Sequence, residues 1–240
     1  MLLRLWVRPV AAAVAILLTI STSHAKSGQL TMWTSDPSVI TGSSCGYADP
    51  TATAIGSAWL VPYVNKDLFC AANSALFDNG AGCGTCYKIS YSGTGGTDPG
   101  RKGSAIIQIV DSGSAKEFDC ELTAFQKITG ATTGVFPVKY KEVPCKATPV
   151  TIIILDGDNA YYVKVLVAGG TTGVKALSIK VGTVTTKMTV SSGATWAASL
   201  SGGTNAPVQF KVTFTDGTKT TVKKCFKSGW PAASGAQCSA

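Results

Sequence analysis

Eight cysteines constrain the fold of this 240-residue chain more than any other feature. All of them follow an apolar N-terminal segment: Cys45, Cys70, Cys83, Cys86, Cys120, Cys145, Cys225 and Cys238. An even number of cysteines in an exported chain is typical of a disulfide framework, whereas in a cytosolic chain it suggests metal binding. The sequence therefore predicts four disulfide bonds around a core that a chain of this length can bury.

The N-terminal segment has the pattern of a secretion signal. Arg4 and Arg8 precede an apolar run at residues 10–20, and small residues before Lys26 suit signal peptidase. The alternative is a membrane anchor, but the run is shorter than the roughly 20 residues of a spanning helix. We expect residues 1–25 to be removed and the protein to be secreted and extracellular, with no membrane association. Cleavage would also remove the only histidine, His24.

The segment "CGTC", which begins at Cys83 and ends at Cys86, has the C-x-x-C spacing of zinc knuckles and thioredoxin-like sites. No histidine would remain to complete a mixed zinc site. The segment also lies among glycines rather than between a strand and a helix. We therefore interpret these cysteines as disulfide partners and expect no metal and no cofactor.

Composition divides the rest of the chain near Pro149. The first half contains most of the cysteines and turn signals, the strand-like segments "CYKISY", "SAIIQIVD" and "FPVKYKEV", and a short helix at residues 122–128. The second half contains "YYVKVLVA", "VKALSIKVG", "KMTV" and a hairpin that turns at Asp216 and Gly217. These patterns predict a mainly β protein, a compact barrel followed by a β-sandwich.

Carboxylates are the candidate chemical groups of the first half. Asp111 ends a strongly apolar strand, and Glu117 and Asp119 follow after a short Ser/Gly loop. Two carboxylates across a groove can act as acid and base on a glycosidic bond if water fits between them. The alternative is structural, because an aspartate placed before "CELTAF" can cap the helix or lie in a solvated turn.

Several ordered motifs of the chain resemble those of the expansin family. They are "GSSCGYAD", "AANSALFDNGAGCGTCYKI", "EFDCELTAFQKI" and "GVFPVKYKEVPC", followed in the second half by "GATW", "VTFTDG" and "SGWPAASG". The resemblance implies a six-stranded double-psi β-barrel at residues 26–148 and an immunoglobulin-like, cellulose-binding-like β-sandwich at residues 149–240. It also implies a secreted, monomeric protein that loosens cell walls without measurable hydrolysis.

The resemblance gives roles to individual residues of the barrel. Asp119 matches the family's essential aspartate, the counterpart of the general acid in related inverting endoglucanases. Asp111 matches a second acidic position and Thr31 a threonine of the same site, while Trp33 and Tyr47 would line the groove. The resemblance also implies the disulfide pairs Cys45–Cys83 and Cys86–Cys145, which leaves Cys70–Cys120 in the barrel and Cys225–Cys238 in the sandwich.

Glu117 departs from the family pattern because it replaces a histidine. A second anionic group near Asp119 would raise the pKa of one of the two carboxyls. The alternative is that Glu117 points away and pairs with Lys116 or Lys127. The sequence leaves both arrangements open.

Aromatic residues are the candidate binding groups of the second half. Tyr161, Tyr162 and Trp196 fall where the resemblance implies rings that stack on the sugars of a polysaccharide. The alternative is that they are ordinary strand residues. Strand alternation places Tyr161 in phase with Val163 and therefore in the core, and it leaves Tyr162 facing outward.

The chain has a formal net charge of +8. Its lysines are scattered over strands rather than collected in one run, which is not typical of a nucleic-acid-binding protein. An acidic wall polymer or wall surface fits a secreted protein better, although a lysine-rich strand is also a solvated face. The lysines in question are Lys139, Lys141, Lys180, Lys187, Lys211, Lys219, Lys223 and Lys224.

Three functions remain open from the sequence. The first is wall loosening without hydrolysis, through binding to cellulose or a matrix glucan. The second is weak endoglucanase activity, which the resemblance makes less favourable because Thr34, with Asp36 nearby, falls near the position of the catalytic base. The third is wall binding or signalling without loosening.

Overall fold

The computed structural model describes residues 24–47, 68–201, 207–227 and 229–240, and the first part of the chain forms a closed β-barrel. The strands follow the order β1-β5-β2-β4-β3-β6 around the barrel, with β1/β5 and β2/β4 parallel. They are β1 (Lys26–Thr34), β2 (Phe69–Ala72), β3 (Cys86–Tyr91), β4 (Gly103–Ser112), β5 (Phe118–Glu121) and β6 (Phe136–Val143). Two short 3-10 helices, Pro37–Gly42 and Asp78–Gly80, and the helix α1 (Ser74–Phe77) lie in the connections.

The predicted signal peptide, residues 1–25, lies outside the described residues except for its last two positions. None of the helices in the described ranges is long and apolar enough to cross a bilayer.

The barrel is filled by apolar side chains that alternate along its strands. Phe118 and Tyr140 pack edge to face with ring centroids 5.0 Å apart, and Phe125 packs against Phe136 at 5.5 Å. Such pairs stabilise a core beyond the burial of their area. Because Phe118 and Cys120 both point into this core, the residue between them in β5 points out of the barrel.

The second helix, α2 (Leu122–Thr129), is capped by Glu121. The buried Glu121 carboxylate accepts hydrogen bonds from the backbone N–H groups of Thr123 at 2.7 Å and Ala124 at 3.4 Å. Asp119 lies two residues earlier, inside β5. The capping role that the sequence offered for Asp119 therefore belongs to Glu121.

The second part of the chain forms a sandwich of two sheets. One has four strands in the order β10-β9-β13-β14, and the other has five in the order β11-β12-β8-β7-β15. The strands are β7 (Thr148–Ile154), β8 (Tyr162–Gly170), β9 (Val174–Val181), β10 (Val184–Lys187), β11 (Thr189–Ser192), β12 (Thr195–Ser199), β13 (Val208–Phe214), β14 (Lys219–Cys225) and β15 (Gln237–Ser239). The prediction of a mainly β protein with a six-stranded barrel and a sandwich is confirmed.

One predicted strand of the sandwich, "KMTV", is divided between two edge strands. β10 ends at Lys187 and β11 begins at Thr189, and the two strands belong to different sheets. The buried Met188 lies between them. The chain therefore passes from one sheet to the other within a single residue.

Two aromatic residues of the sandwich, Trp196 and Tyr161, differ from expectation. Trp196 is only 5% exposed and packs in the sandwich core together with Ala198, on the inner face of β12. Tyr161 was expected in the core but is 64% exposed, because β8 begins at Tyr162 and Tyr161 belongs to the preceding turn. Alternation along a strand does not extend into the turn before it.

The five-stranded sheet is buried on both faces. Ile152 and Ile154 of β7 face the sandwich core, whereas Ile153 between them faces the barrel. The side chains of the resulting apolar interface are Ile40, Cys45, Tyr47, Phe69, Cys83 and Val110 from the barrel, and Ile153, Leu155, Leu166, Ala168 and Ala194 from the sandwich. The sandwich thus covers part of the outer surface of the barrel.

The backbones of the two halves also approach closely. The N–H group of Ala194 donates to the carbonyl of Cys45 at 3.1 Å. A Cβ at the neighbouring Gly193 would overlap the carbonyl oxygen of Ser44, so only glycine fits at this position. The boundary was expected between residues 148 and 149; because β7 already begins at Thr148, we propose that it lies slightly earlier, in residues 144–147 between β6 and β7.

All four disulfide bonds expected from the resemblance are present. They are Cys45–Cys83, Cys70–Cys120, Cys86–Cys145 and Cys225–Cys238. The Cys70–Cys120 bond joins residues directly opposite each other in β2 and β5. The Cys45–Cys83 bond lies in the apolar interface, where it links the two barrel segments that the sandwich covers.

The burial of Trp196 gives a stability prediction. Trp196→Ala should lower the free energy of unfolding by about 3–5 kcal/mol, because it removes a large ring from a packed core. Urea denaturation followed by circular dichroism measures this loss. The exposed Tyr161→Ala serves as the control and should change stability by no more than about 0.5 kcal/mol. An unchanged urea midpoint for Trp196→Ala would contradict the assignment of this ring to the core.

Candidate functional site

Four residues form a row across the outer surface of the barrel. In lateral register, Thr31 of β1 lies beside Asp119 of β5, Asp119 beside Ala71 of β2, and Ala71 beside Asp111 of β4. We call these four residues the acidic row. Neighbouring strands lie about 4.8 Å apart, so the Cα atoms of Asp119 and Asp111 are separated by roughly 10 Å. The small, buried Ala71 lies between the two aspartates.

Asp119 is the residue of the acidic row whose chemistry departs most from an ordinary carboxylate. Partial burial raises its pKa above the usual 3.8, and its Oδ1 atom is buried with no hydrogen-bond partner in the described part of the chain. A hydrogen bond from the Thr31 hydroxyl would lower this pKa, but that hydroxyl already donates to the Phe118 carbonyl at 3.3 Å. Because a hydroxyl has a single hydrogen, that carbonyl occupies the Thr31 donor. Burial is therefore the stronger influence on the pKa of Asp119 and favours the protonated acid.

Asp111 has a different environment. Its Oδ1 atom accepts hydrogen bonds from the backbone N–H groups of Ser44 at 2.7 Å and Ser112 at 2.8 Å. The hydroxyls of the same two serines are 2.8 Å apart. Asp111 therefore ties the segment after the first 3-10 helix to the end of β4. Charge-assisted bonds of this kind are strong, and they fix the direction of the carboxylate.

Glu117 points away from Asp119. Its Oε2 atom accepts a hydrogen bond from the backbone N–H of Gln29 at 2.6 Å. Burial, and after it the charge of Glu117, raises the pKa of Tyr140. Of the two arrangements that the sequence left open, Glu117 adopts the outward one, and its partner is the backbone of β1.

The two aromatic residues expected to line the groove lie at different depths. Trp33 is half-buried beside the acidic row, and its ring meets Phe69 edge to face with centroids 6.2 Å apart. Tyr47 is 5% exposed and belongs to the apolar interface, where burial raises its pKa. Trp33 therefore borders the acidic row, whereas Tyr47 lies beneath the surface in the apolar interface.

One predicted aromatic residue of the sandwich, Tyr162, lies on the face of the five-stranded sheet that is turned toward the barrel. Tyr162 and Lys164 share the side of β8 on which Leu166 contacts the barrel, because side chains two apart point the same way. Both residues are half-buried. Tyr161 lies in the adjoining turn, where its N–H donates to Oδ1 of Asn159 at 2.8 Å. Trp196 faces the opposite side of the sheet, in the core.

Three residues that shape this site have no signal in the sequence. Ala71 belongs to the four-residue strand "FCAA", which is too short for a clear period. Ser44 and Ser112 meet Asp111 only through the closure of the barrel. Among the described residues, no group of three or more His, Cys, Asp or Glu side chains is arranged to hold a metal ion.

Comparisons with known proteins agree with this architecture. Residues 150–225 match the sequence model of the expansin C-terminal domain. Expansin-A21 of Arabidopsis thaliana is 30% identical over 202 residues, which cover 80% of this chain and 71% of that protein. Putative expansin-B2 of the same plant is 30% identical over 210 residues, which cover 79% and 76%. Expansin-like protein 5 of Dictyostelium discoideum is 32% identical over 122 residues. This match covers 47% of this chain and 48% of that protein, so about half of each.

Two solved structures share the fold. The crystal structure of the apo expansin of Clavibacter michiganensis superposes with a TM-score of 0.63 at 17% sequence identity, over 90% of this chain and 96% of that one. A mutant of the same protein in complex with cellohexaose gives a TM-score of 0.66 at 18% identity, with the same coverage.

The raised pKa of Asp119 predicts a pH-dependent stability difference. A carboxyl whose pKa is higher in the folded state stabilises the fold below its unfolded pKa and loses that contribution as the pH rises through the folded pKa. Asp119→Asn should therefore match wild type at about pH 3 and melt at a higher temperature than wild type at about pH 7. Thermal denaturation across this range measures the difference. A constant difference, or one of opposite sign, would show that the native state does not favour the protonated acid.

Asp111→Asn is the matched control for this measurement. It removes a carboxylate that accepts two backbone hydrogen bonds, so it should lower the melting temperature at about pH 7 instead of raising it.

Proposed function

Because this chain belongs to the expansin family, we propose that it is a secreted, monomeric protein that binds cell-wall polysaccharide, cellulose or a matrix glucan, and loosens glucan contacts without hydrolysing them. The observation that carries this proposal is the partly buried Asp119, an acid with a raised pKa on an outer face of the barrel. The signal-like residues 1–25 and the four disulfide bonds support an extracellular location.

A protonated Asp119 can act on a glucan without breaking a covalent bond. Its O–H group can donate a hydrogen bond to a hydroxyl or glycosidic oxygen of a chain that lies across the acidic row. Chains in a wall are held together by many such hydrogen bonds between hydroxyls, so each bond donated by the protein replaces one between two chains. Trp33 beside the row offers an apolar ring against which a sugar can pack.

Weak endoglucanase activity is a second candidate function, and one observation favours it. Inverting glycosidases hold two carboxyl groups roughly 6.5–9.5 Å apart, with a water molecule between them. Asp119 and Asp111 lie on opposite sides of Ala71, with Cα atoms roughly 10 Å apart, a separation that allows their carboxyl groups to face one another. However, Asp111 directs Oδ1 to the amides of Ser44 and Ser112, so one of its two oxygens holds the loop. This second contact favours the proposal without hydrolysis.

The sandwich supplies a binding surface in this proposal. Tyr162 lies on the same face of β8 as the residues that pack on the barrel, and the exposed Tyr161 lies next to it. A flat polysaccharide can contact both halves, and two weak sites on one molecule raise the apparent affinity through effective concentration. The complex of the Clavibacter michiganensis expansin mutant with cellohexaose supports a cellulose-type ligand. Trp196 has no part in this surface, because it is buried.

Wall extension under constant load tests the role of Asp119. Asp119→Ala should slow the creep of heat-killed walls by about 5-fold to 10-fold, the equivalent of one lost hydrogen bond. Asp119→Asn keeps an N–H donor and should retain part of the activity. Binding of both variants to insoluble cellulose should equal that of wild type. The proposal fails if folded, wall-bound Asp119→Ala extends walls as fast as wild type.

The release of reducing sugar from soluble glucan separates the two candidate functions. We expect none from wild type. Release that disappears in both Asp119→Asn and Asp111→Asn would establish the endoglucanase, since hydrolysis needs a transferable proton and a base. Wall binding without creep in wild type would instead indicate a binding or signalling protein.

A further inference from the structure

The outer face of the four-stranded sheet carries at least one exposed lysine on each strand. Inward-facing side chains such as Ile179, Phe210 and Val222 are fully buried in the sandwich core, so the residues between them face solvent. We define the lysine face by four outward, exposed lysines, one from each strand: Lys180 of β9, Lys187 of β10, Lys211 of β13 and Lys219 of β14; Lys223 of β14, outward by the same alternation, adjoins them.

Strand register spaces these four lysines regularly. Lys180 pairs with Thr185 of β10 and with Gln209 of β13, so it is a diagonal neighbour of both Lys187 and Lys211. Lys219 pairs with Thr213 and is a diagonal neighbour of Lys211. Diagonal neighbours in a sheet are separated by roughly 7–8 Å. The ammonium groups therefore form a zigzag across the full width of the sheet.

No carboxylate offsets this charge on the face. The four strands contain no Asp or Glu. Asp216 lies in the turn between β13 and β14, where its Oδ1 accepts hydrogen bonds from the N–H of Thr218 at 2.8 Å and from the Thr218 hydroxyl at 2.6 Å. The positions between the lysines are uncharged and polar: Ser178, Thr185, Gln209, Thr213 and Thr221.

We propose that the lysine face binds an extended, carboxylate-bearing polysaccharide, a polyuronate. A flat sheet with evenly spaced ammonium groups is complementary to a polymer with evenly spaced carboxylates, and the intervening hydroxyl and amide groups suit sugar hydroxyls. Nucleic acid fits less well. The face has no arginine for bidentate phosphate contacts, and the aromatic residues of its strands, Phe210 and Phe214, are buried and unable to stack on bases.

The position of the lysine face makes this site independent of the acidic row. The four-stranded sheet packs on the five-stranded sheet, and the far side of the five-stranded sheet packs on the barrel. The lysine face is thus turned away from the barrel. The inference rests on the proposed extracellular location but not on glucan loosening, and it gives the protein separate surfaces for a neutral and an acidic polymer.

Binding to polygalacturonate tests the proposal with the full-length secreted protein. In one variant all four lysines of the lysine face are changed to Gln. In the matched control, four exposed barrel lysines are changed to Gln: Lys88, Lys102, Lys127 and Lys141. Both variants lose the same net charge. The first should bind polygalacturonate about 10-fold to 100-fold more weakly at low ionic strength, since each exposed ion pair contributes about twofold to threefold. The control should stay within about threefold of wild type.

Two further measurements complete the test. Added salt should weaken wild-type binding to polygalacturonate, because exposed charges are screened. Binding to cellulose should be the same in all three proteins, which separates this site from the proposed glucan surface. The proposal is overturned if the control loses as much affinity as the first variant, if the first variant binds like wild type, or if wild type prefers duplex DNA to polygalacturonate at equal salt.

Discussion

The burial of both faces of the five-stranded sheet is the constraint on which the rest of this structure depends. Ile153, Leu155 and Leu166 pack on the barrel, while their neighbours along the same strands pack in the sandwich core. This arrangement fixes the position of the sandwich against the barrel strands that carry the acidic row. It also leaves Tyr162 at the uncovered end of the sheet, beside Tyr161, and turns the four-stranded sheet and its lysines away from the barrel. The two proposed binding surfaces follow from this one packing arrangement.

The environment of Asp119 shows how the fold sets the chemistry of one group. Strand β5 contributes only four residues, yet its alternation places Phe118 and Cys120 in the core and Asp119 outside. Partial burial raises the pKa of Asp119 and favours the neutral acid, whereas Asp111 accepts hydrogen bonds from two backbone amides through its Oδ1 atom. Two aspartates on either side of one alanine thus have different environments: the Asp119 carboxyl is partly buried, and the Asp111 carboxylate is hydrogen-bonded to the neighbouring loop.

The sequence predicted those parts of the fold whose patterns are local. β3 and β6 coincide with the predicted segments because their apolar residues alternate clearly. β2 and β5 are too short for a period, and their register depends on barrel closure. Trp196 was expected to bind sugar because the resemblance implied a stacking ring at this position, but it lies on the face of β12 that meets the sandwich core. The uninterrupted apolar run from Ile152 to Leu155 was the available signal, since strands buried on both faces do not alternate. The contact between Asp111 and Ser44 joins residues far apart in sequence and has no local signature.

The distribution of the disulfide bonds has a consequence for limited proteolysis. Three bonds lie within the first half of the chain and one within the second, and together they use all eight cysteines. Because Cys145 is bonded to Cys86 of the barrel, no covalent bond other than the backbone after Cys145 joins the barrel to the sandwich. A single nick at residues 146–147 would leave two fragments held by the apolar interface and by the hydrogen bond from Ala194 to Cys45. Such fragments should elute together in native chromatography and separate only in denaturant, even without reductant.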